Sequence, residues 1–414
     1  MNYDKLSKII HKYDHKTHLA EYDKRVNDYS SFKTNLSIYP FKKGELLLDR
    51  EENLFFVNLG RLTKLYEEIL LNSAKIQVAV KELPDFAIEP YFHKLIINEA
   101  QSNNEIEGIR STKEELSNVL EHVNDMKLSA KSRFVGLMKT YKYIDQLKPF
   151  ESVEDFRELY DNLVAEEIPS NKQPDGKYFR KNGVSITDST KVWHKGIESE
   201  EKIIKKLNEL ILFLNVSEIP DLFKYMIAHY YYEYIHPFYD GNGRTGRLLV
   251  CSYLSRKLER YSAITFSHAI NNNKQKYYKS LENVSDPLNK GELTFFLIDM
   301  LEFLSEGQNS MLEDLQIGLS KVEKIKKYIG DIEWTQDHIL KGIVRNLSEI
   351  AVLAGVNNLP SNQDLQRFYN LSPHKINKYM SILEEKGMIE LIKQRPKTYA
   401  IKDEFIESVL FSSK

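Results

Sequence analysis

The sequence has 414 residues, for which roughly two to three domains are expected. Hydrophobic residues make up 42% and charged residues 29% of the chain, a composition typical of a soluble globular protein. The formal net charge is -2, which excludes a general electrostatic attraction to nucleic acid or membranes and leaves only local patches.

The cysteine content and the N-terminus indicate the compartment. Cys251 is the single cysteine and lies in an apolar helical run, so it can form no intramolecular disulfide and is expected to be packed rather than catalytic. The N-terminus lacks the apolar core of a signal peptide, and no segment is long and apolar enough to span a bilayer. We expect a cytoplasmic protein with no membrane partner.

Residues 1–90 are predicted to form an N-terminal helical extension. The first fifty residues are charged and are interpreted as a cap, and apolar residues then recur at helical spacing over residues 54–71 and 74–80. Pro90 is predicted to open the next helix. That helix leads into residues 102–108, where the ordinary interpretation is a helix end capped by Gly108.

The next part of the chain changes from helix to strand. Residues 116–144 and 153–164 are predicted to be helical. A turn at residues 174–176 then precedes two extended runs, 184–186 and 191–194, which flank a polar turn at 188–190 and predict a β-hairpin. Without further signals this is an ordinary surface hairpin. Residues 201–214 return to an amphipathic helical pattern.

Residues 236–247 read His-Pro-Phe-Tyr-Asp-Gly-Asn-Gly-Arg-Thr-Gly-Arg and lie between two apolar helical runs, 222–235 and 248–258. Pro237 cannot continue the first helix, and Gly241 and Gly243 let the backbone approach a ligand closely. The amides around Asn242 would then begin the second helix. Free N–H groups at a helix N-terminus form an anion site.

The side chains of this segment suit a bound polyphosphate. Arg244 and Arg247 are three residues apart, so they are predicted to lie on one helix face and reach successive phosphates. Asp240 offers a hard oxygen ligand for the Mg²⁺ that accompanies phosphate. A neutral His236 could take a proton from an attacking hydroxyl.

This segment resembles the signature of the Fic family, His-Pro-Phe-x-Asp/Glu-Gly-Asn-Gly/Lys-Arg-x-x-Arg, and every defined position matches. Fic enzymes typically transfer AMP from ATP to a hydroxyl group of a protein and release pyrophosphate. The resemblance implies that His236 is the general base and that Asp240 binds Mg²⁺. It also implies an anion hole and a core anchor. The anion hole would be formed by Gly241, Asn242 and Gly243, the distal phosphates would be bound by Arg244 and Arg247, and the anchor would be Phe238.

Residues 99–108 resemble the inhibitory segment of many Fic proteins, Ser/Thr-x-x-x-Glu-Gly/Asn. The resemblance implies that Glu107 forms a salt bridge with Arg247 and blocks productive placement of the γ-phosphate. Asn103 stands at the Ser/Thr position, where its amide is expected to donate a hydrogen bond to the Glu107 carboxylate. The same glutamate could instead orient water for the removal of AMP.

Residues 183–195 resemble the flap of Fic proteins, with Arg180, Val184 and Ile186 at the family's spacing. Such an edge strand can pair with an extended target segment. Residues 184–187 are expected at the ATP site (Val184, Ser185, Ile186 and Thr187).

Residues 277–281 resemble the family's Tyr-Tyr-x-x-Leu element near the adenine. Tyr277 and Ser285 are therefore expected to contact the nucleotide, although Ser285 replaces a common Asn and Tyr277 could simply be a packing residue.

The C-terminal part is predicted to leave the catalytic core. A loop is expected at residues 271–273, an apolar helix at 293–304 and a charged amphipathic helix at 312–329, which could bridge to the next unit or to a second subunit of a homodimer. The predicted domain boundaries are 1–90 for the extension, 91–305 for the Fic core, 306–350 for a helical linker and 351–414 for a winged-helix domain.

The winged-helix prediction depends on caps and alternation. Ser361 and Ser372 are predicted to cap two helices, Gly387 to end the second, and residues 389–391 and 398–401 to form two strands around a basic turn at 393–397. Between residues 361 and 401, Lys and Arg exceed Asp and Glu by three. Contact with DNA and contact with protein both remain open.

We therefore predict a mainly α protein with a Fic-type helical core, a β-hairpin flap and a C-terminal winged helix. The predicted function is a protein adenylyltransferase that uses ATP and Mg²⁺, modifies a Tyr, Thr or Ser hydroxyl of a protein, and is restrained by Glu107. The alternatives are removal of AMP, transfer of another nucleotide or of phosphocholine by the same site, or an ATP-sensing regulator that binds DNA.

Overall fold

A computed structural model describes residues 3–123, 133–187, 192–355 and 359–411. Most of these residues are helical, and the strands form only two-stranded sheets, so the prediction of a mainly α protein is confirmed. The polar turn predicted at residues 188–190 and part of the helical prediction for 116–144 lie outside the described residues. Within the described ranges, no helix is both long and apolar enough to cross a membrane.

Helices and strands follow one another along the described residues, with most strands near the N- and C-terminal ends. The helices are α1 (Leu6–Lys12), α2 (His15–Val26), α3 (Gly60–Lys81), α4 (Asp85–Ile106), α5 (Lys113–Glu121), α6 (Val135–Lys142), α7 (Val153–Leu163), α8 (Glu200–Val216), α9 (Asp221–Ile235), α10 (Asn242–Lys257), α11 (Arg260–Ala263), α12 (Phe266–Asn272), α13 (Lys274–Ser285), α14 (Thr294–Gly330), α15 (His338–Leu353), α16 (Asn362–Tyr369), α17 (Pro373–Glu385) and α18 (Asp403–Phe411). The strands are β1 (Ser31–Ile38), β2 (Phe41–Lys42), β3 (Glu45–Leu46), β4 (Glu52–Val57), β5 (Ser185–Thr187), β6 (Val192–Lys195), β7 (Ile389–Gln394) and β8 (Lys397–Ile401).

The prediction of a helix from residue 54 is wrong, because these residues form β4, which pairs antiparallel with β1. Phe56 is fully buried, lies opposite Phe32 in the register and contacts the ring of Phe223 on α9. A short, continuously apolar run fits a buried strand as well as a helix. Pairing with β1, about twenty residues earlier in the chain, favours the strand here. Helix α3 begins only at Gly60.

Pro90 lies inside α4 and not at its start, contrary to the prediction. A proline within a helix removes one backbone hydrogen bond and crowds the preceding turn. The buried stripe of α4 begins before the proline with Ala87 and continues through Tyr91 and Ile96. The burial of apolar side chains on both sides of Pro90 therefore stabilises the helix by more than the lost hydrogen bond destabilises it.

Two further boundaries differ from the prediction. The loop expected at residues 271–273 is helical up to Asn272, and only Asn273 separates α12 from α13. The two helices expected at 293–304 and 312–329 are one continuous helix, α14, of 37 residues. Gly307, Gln308 and Met311 in the middle of α14 are buried, so the packed face of the helix continues across the expected break.

The C-terminal elements follow the order that the winged-helix prediction requires. Ser361 and Asp364 form a capping box at the start of α16, and Ser372 caps α17. Strands β7 and β8 then pair antiparallel. This region contacts the rest of the chain through the rings of Phe368 and Phe86, whose centroids lie 4.5 Å apart. Its use as a DNA-binding or protein-binding domain stays a prediction.

Helices α9 and α10 lie at the centre of the fold. Most residues of both helices are buried, including the fully buried Ile235 and Leu248 that flank the turn between them. Aromatic side chains from α7, α14 and β4 pack against α9. The 236–247 segment is thus held from both ends by rigid, packed helices.

We expect Phe56→Ala to lower the free energy of unfolding by about 3–5 kcal/mol, because it removes a fully buried aromatic ring from the β1–β4 pair. Chemical denaturation measures this change. Tyr29→Ala is the matched control, since Tyr29 is fully exposed, and a change within about 0.5 kcal/mol is expected there. Equal effects of the two substitutions would contradict the burial of β4.

Candidate active site

The turn between α9 and α10 is closed by one side chain. The amide of Asn242 accepts a hydrogen bond from the Phe238 backbone N–H at 2.9 Å and donates one to the Phe238 carbonyl at 2.8 Å. Phe238 is fully buried and stacks on Tyr160 with the ring centroids 3.7 Å apart. His236 and Gly241, at the two ends of the turn, both have positive φ, which glycine adopts without strain.

His236 directly follows the last residue of α9 and is half-buried. Arg180 donates hydrogen bonds to the carbonyls of His236 at 2.8 Å and Ile235 at 3.3 Å, which satisfies free carbonyls at the helix end. Burial, His194 and Arg180 lower the pKa of His236 to about 3, and the backbone carbonyl of Glu233 opposes this shift. The imidazole is therefore neutral at neutral pH and able to accept a proton.

The ion pair expected between Glu107 and Arg247 is present. Glu107 follows the last turn of α4, and its Oε1 lies 2.7 Å from Nη2 of Arg247, which is almost fully buried. Asn103 does not donate to Glu107 as predicted. Its amide oxygen accepts from Nε of Arg247 at 2.7 Å, and its amide nitrogen donates to the hydroxyl of Tyr141. The guanidinium needs acceptors on more than one side, and Asn103 supplies one of them.

The other arginine of the signature has a different partner. Arg244 pairs with Glu167 at 2.7 Å, and both side chains are largely buried. Glu167 also accepts the backbone N–H of Phe134 at 3.2 Å. A carboxylate outside the signature therefore holds each of the two arginines, and each carboxylate belongs to a different part of the fold.

Asp240 lies at the rim of the turn and already balances a cation. One carboxylate oxygen lies 2.8 Å from Nζ of Lys172, and the other accepts the N–H of Gly241 at 2.7 Å. Both side chains of the Asp240–Lys172 pair are partly exposed. Among the described residues no cluster of three or more His, Cys, Asp or Glu could enclose a metal ion. A cation at Asp240 would thus depend on oxygens from a phosphate or from water.

A cavity of about 830 Å³ opens beside the turn, within the size range of small-molecule sites. Seven of the residues that sequence analysis assigned to the site line it: Glu107, Ile186, His236, Gly243, Arg247, Tyr277 and Ser285. Other predicted site residues within the described ranges lie outside its lining: Val184, Ser185, Thr187, Asp240, Gly241, Asn242 and Arg244. The structure therefore brings the predicted base, one arginine and the predicted adenine-contacting residues together around a single cavity.

The aromatic end of the cavity is formed largely by α13. The Tyr277 hydroxyl lies 2.9 Å from Nε2 of His229, and the Ser285 hydroxyl lies 2.9 Å from that of Tyr230. Tyr278 donates to the carbonyl of Ile106 at 3.1 Å, next to Glu107. Tyr277 is almost fully buried, so it both packs in the core and presents an edge to the cavity.

The flap is the hairpin of β5 and β6, in which Ile186 lies opposite His194. It is fixed to the end of α9, because His194 shares a hydrogen bond of 2.8 Å with the Tyr234 carbonyl, and the backbone N–H of Ile197 donates to the carbonyl of Ile235. On its other side, β6 contacts the small hairpin of β2 and β3 through the ion pair of Lys195 with Glu45. Within the described residues β5 pairs only with β6, which leaves its outer edge free.

Sequence reasoning missed several residues of the site: His194, Glu167, Lys172 and Glu233. Glu233 precedes His236 by three positions at the end of α9, so helical periodicity could have placed it on the same face. Glu167 and Lys172 gave no local signal, because their partners Arg244 and Asp240 are distant in sequence and only the fold brings them together.

A neutral histidine and a paired arginine line one cavity beneath a β-hairpin, beside the turn between two packed helices. The model of the Fic/DOC family matches residues 149–254, which include the flap and the whole 236–247 segment. The chain therefore contains a domain of the Fic/DOC family.

Relatives agree with this assignment. A curated protein adenylyltransferase Fic from Nematostella vectensis is 29% identical over 126 residues, which are 30% of this chain and 28% of that protein. The match thus spans less than a third of the relative's length. The crystal structure of a Fic family protein from Desulfovibrio desulfuricans superimposes with a TM-score of 0.53 at 20% identity, covering 84% of this chain and 98% of that one. This likeness concerns the fold.

We expect the NMR ring signals of His236 to stay unshifted between about pH 5 and about pH 8, because burial keeps the imidazole neutral far below the ordinary value near 6.5. His236→Asn identifies these signals by their loss. An unfolded histidine binds its proton near about pH 6.5 and the folded one does not, so His236 makes the fold less stable as the pH falls below that value. A titration midpoint near about pH 6.5 would contradict this assignment.

Proposed function

We propose that the chain is a protein adenylyltransferase that transfers AMP from ATP to a hydroxyl side chain of a protein. The observation that carries the proposal is the neutral, half-buried His236, which lines the same cavity as Arg247. The match to the Fic/DOC family and the name of the Nematostella vectensis relative support it.

His236 is the proposed general base. The target hydroxyl gives its proton to the imidazole, and its oxygen forms a bond to the α-phosphorus as the bond from that phosphorus to the bridging oxygen of the β-phosphate breaks. Pyrophosphate leaves, and the imidazolium then releases its proton to water. A pKa of about 3 makes the free site a weak base, but the negative charge of a bound triphosphate would raise it towards a useful value.

The remaining signature residues bind the nucleotide in this proposal. The backbone amides of Gly241, Asn242 and Gly243 lie at the N-terminus of α10, where an anion is favoured. Arg247 binds the distal phosphates once Glu107 leaves it, and Arg244 can join only by leaving Glu167.

Tyr277 and Ser285 at the aromatic end, with Ile186 of the flap, would surround the adenine. The neighbouring flap residues Val184, Ser185 and Thr187 do not line the cavity, so their proposed contribution is to support Ile186 and the strand.

Asp240 is the residue proposed to hold Mg²⁺. Its carboxylate already accepts a cationic partner, Lys172, at the rim of the turn, which suits it to a divalent cation. When bound there, the metal would offset charge on the phosphates. Displacing Lys172 is inexpensive, because partly exposed ion pairs contribute little to stability.

The flap supplies the proposed contact with the protein substrate. The outer edge of β5 can pair with an extended segment of the target, and main-chain hydrogen bonds would bring a side-chain hydroxyl towards His236. Because this contact reads the backbone, a Tyr, Thr or Ser hydroxyl could be presented in the same way.

Glu107 is the proposed inhibitor of this activity. Its carboxylate occupies the guanidinium of Arg247 that the distal phosphate needs, at 2.7 Å. The Glu107 side chain is only 31% exposed and lines the cavity, so it could also orient a water molecule for removal of AMP. Intact-mass analysis of a modified target, with and without a nucleotide or phosphocholine donor, separates AMP addition from the other reactions.

We expect His236→Ala to abolish transfer of α-phosphate-labelled AMP to protein, because the base is lost, while the thermal unfolding midpoint stays close to that of the unmodified chain. His374→Ala is the control, since His374 is an exposed histidine on α17. Labelling that persists in the His236 variant would remove that residue from the mechanism.

We expect Glu107→Gly to increase labelling by about tenfold or more, because it frees Arg247 for the phosphate. Glu105→Gly is a matched control near the end of the same helix, and its side chain contacts Asn271 and not Arg247. The rate of labelled AMP transfer measures both. A similar change in the two variants would show that helix loosening, and not release of Arg247, is responsible.

A further inference from the structure

Glu233 lines the cavity but has no part in the mechanism above. It lies on α9 one helical turn before His236. Its Oε1 is buried and has no hydrogen-bond partner within the described part of the chain. Buried carboxyl oxygens are usually hydrogen-bonded, so an unpaired one beside a cavity indicates a partner that arrives with a ligand.

The fold makes room for this carboxyl group. It lies against Gly246 of α10, where a Cβ atom would stand only 2.3 Å from Oε1. Any larger residue at position 246 would displace it. Gly243, one turn earlier, leaves similar room for the carboxylate of Glu107. Two carboxyl groups are thus seated beside the first turns of α10, with Arg247 as the nearby cation.

Burial disfavours the ionised form of Glu233, while Arg247 favours that form and Glu107 disfavours it. The titratable and charged groups that interact with it come from α9, α10, α13 and the end of α4: Glu107, Tyr232, Arg247, Tyr277 and Tyr278. Arg247 is the single cation of this set and is already paired with Glu107. A charged Glu233 would give the group of Glu107, Glu233 and Arg247 a net negative charge, and within the described residues no donor reaches its buried Oε1.

We propose that Glu233 binds the triphosphate nucleotide as a neutral carboxylic acid, whose O–H donates a hydrogen bond to a phosphate oxygen beside Arg247. This inference rests on the proposed function, because it takes the nucleotide as the ligand. A neutral acid can donate to an anion, whereas a carboxylate can only accept and repels it. The proton on Glu233 is then a requirement for phosphate binding next to the signature turn.

The protonation of Glu233 gives the proposal a pH signature. Burial raises its pKa to about 8, Arg247 opposes the shift, and Glu107 adds to it. The group is therefore mostly protonated at neutral pH and ionises as the pH rises. A bound polyphosphate raises the pKa further, so nucleotide binding near about pH 8 takes up a proton and weakens as the pH increases.

The test measures ATP binding to the full chain by isothermal titration calorimetry at about pH 7 and about pH 9. Over this range phosphate charge is nearly constant, because its last proton is lost near about pH 6. Glu107→Gly is used as the background so that Arg247 is free. It is compared with the double variant Glu107→Gly with Glu233→Gln, in which the amide is neutral at every pH and can still donate.

We expect ATP affinity of the Glu107→Gly chain to fall by up to about tenfold at the higher pH, and that of the double variant to change by less than about twofold. Repeating the titration near about pH 8 in two buffers of different ionisation enthalpy should show proton uptake only where Glu233 is present. Even if the glutamine variant does not fold, absence of proton uptake in the Glu107→Gly chain would by itself overturn the role of Glu233.

An equal fall in affinity in both chains, or no proton uptake in the chain that retains Glu233, would overturn the role of Glu233 and leave the proposed function intact. Absence of ATP binding to the Glu107→Gly chain at both pH values would overturn the proposed function itself, and the inference with it.

Discussion

The pair of hydrogen bonds between the Asn242 side chain and the Phe238 backbone is the constraint on which the site depends. These two hydrogen bonds close the turn between two buried helices. Because the Asn242 side chain bonds to Phe238, it does not accept a hydrogen bond from the backbone amides at the start of α10. Phe238 anchors the closed turn in the core by stacking on Tyr160. His236, held by Arg180 from outside the turn, then has a fixed position at the cavity wall.

Around this turn the charges are arranged in opposed pairs. Arg247 faces Glu107, Arg244 faces Glu167, and Asp240 faces Lys172, so each charged group of the signature is balanced by a residue from another element. The buried pairs are costly to break by removing one partner, since the other is left uncompensated. The partly exposed pair of Asp240 and Lys172 can be broken with little loss of stability. In the proposed function, a polyphosphate and its cation would replace Glu107, Glu167 and Lys172 as the partners of these three residues.

The parts of the fold that could be predicted from sequence are those decided by neighbouring residues. The helices that flank residues 236–247, the caps at Ser361 and Ser372, and the ends of the flap all depend on local spacing and turn chemistry. The predictions that were wrong concern elements whose structure depends on contacts between residues far apart in sequence. Strand β4 is stabilised by its pairing with β1, and the middle of α14 is buried against the rest of the fold at Gly307, Gln308 and Met311.

The same distinction applies to the site. His236 and Arg247 could be placed in one cavity from the signature alone, and the resemblance to the family's inhibitory segment supplied Glu107. The partners Glu167 and Lys172 could not be found, since nothing in their own neighbourhood distinguishes them from surface residues. Asn103 was found, but its contact was wrong, because the sequence does not specify which of two nearby groups an amide will meet.

The continuity of α14 limits how this architecture can vary. A single helix of 37 residues, about 55 Å long, packs on the core with its first half and against α15 and α18 with its second. Successive residues of a helix are rotated by about 100° about the helix axis. Inserting or deleting one residue near the middle of α14 would therefore rotate the C-terminal elements to another side of the molecule. Length changes in related chains should therefore occur in multiples close to whole helical turns, or be confined to the loops.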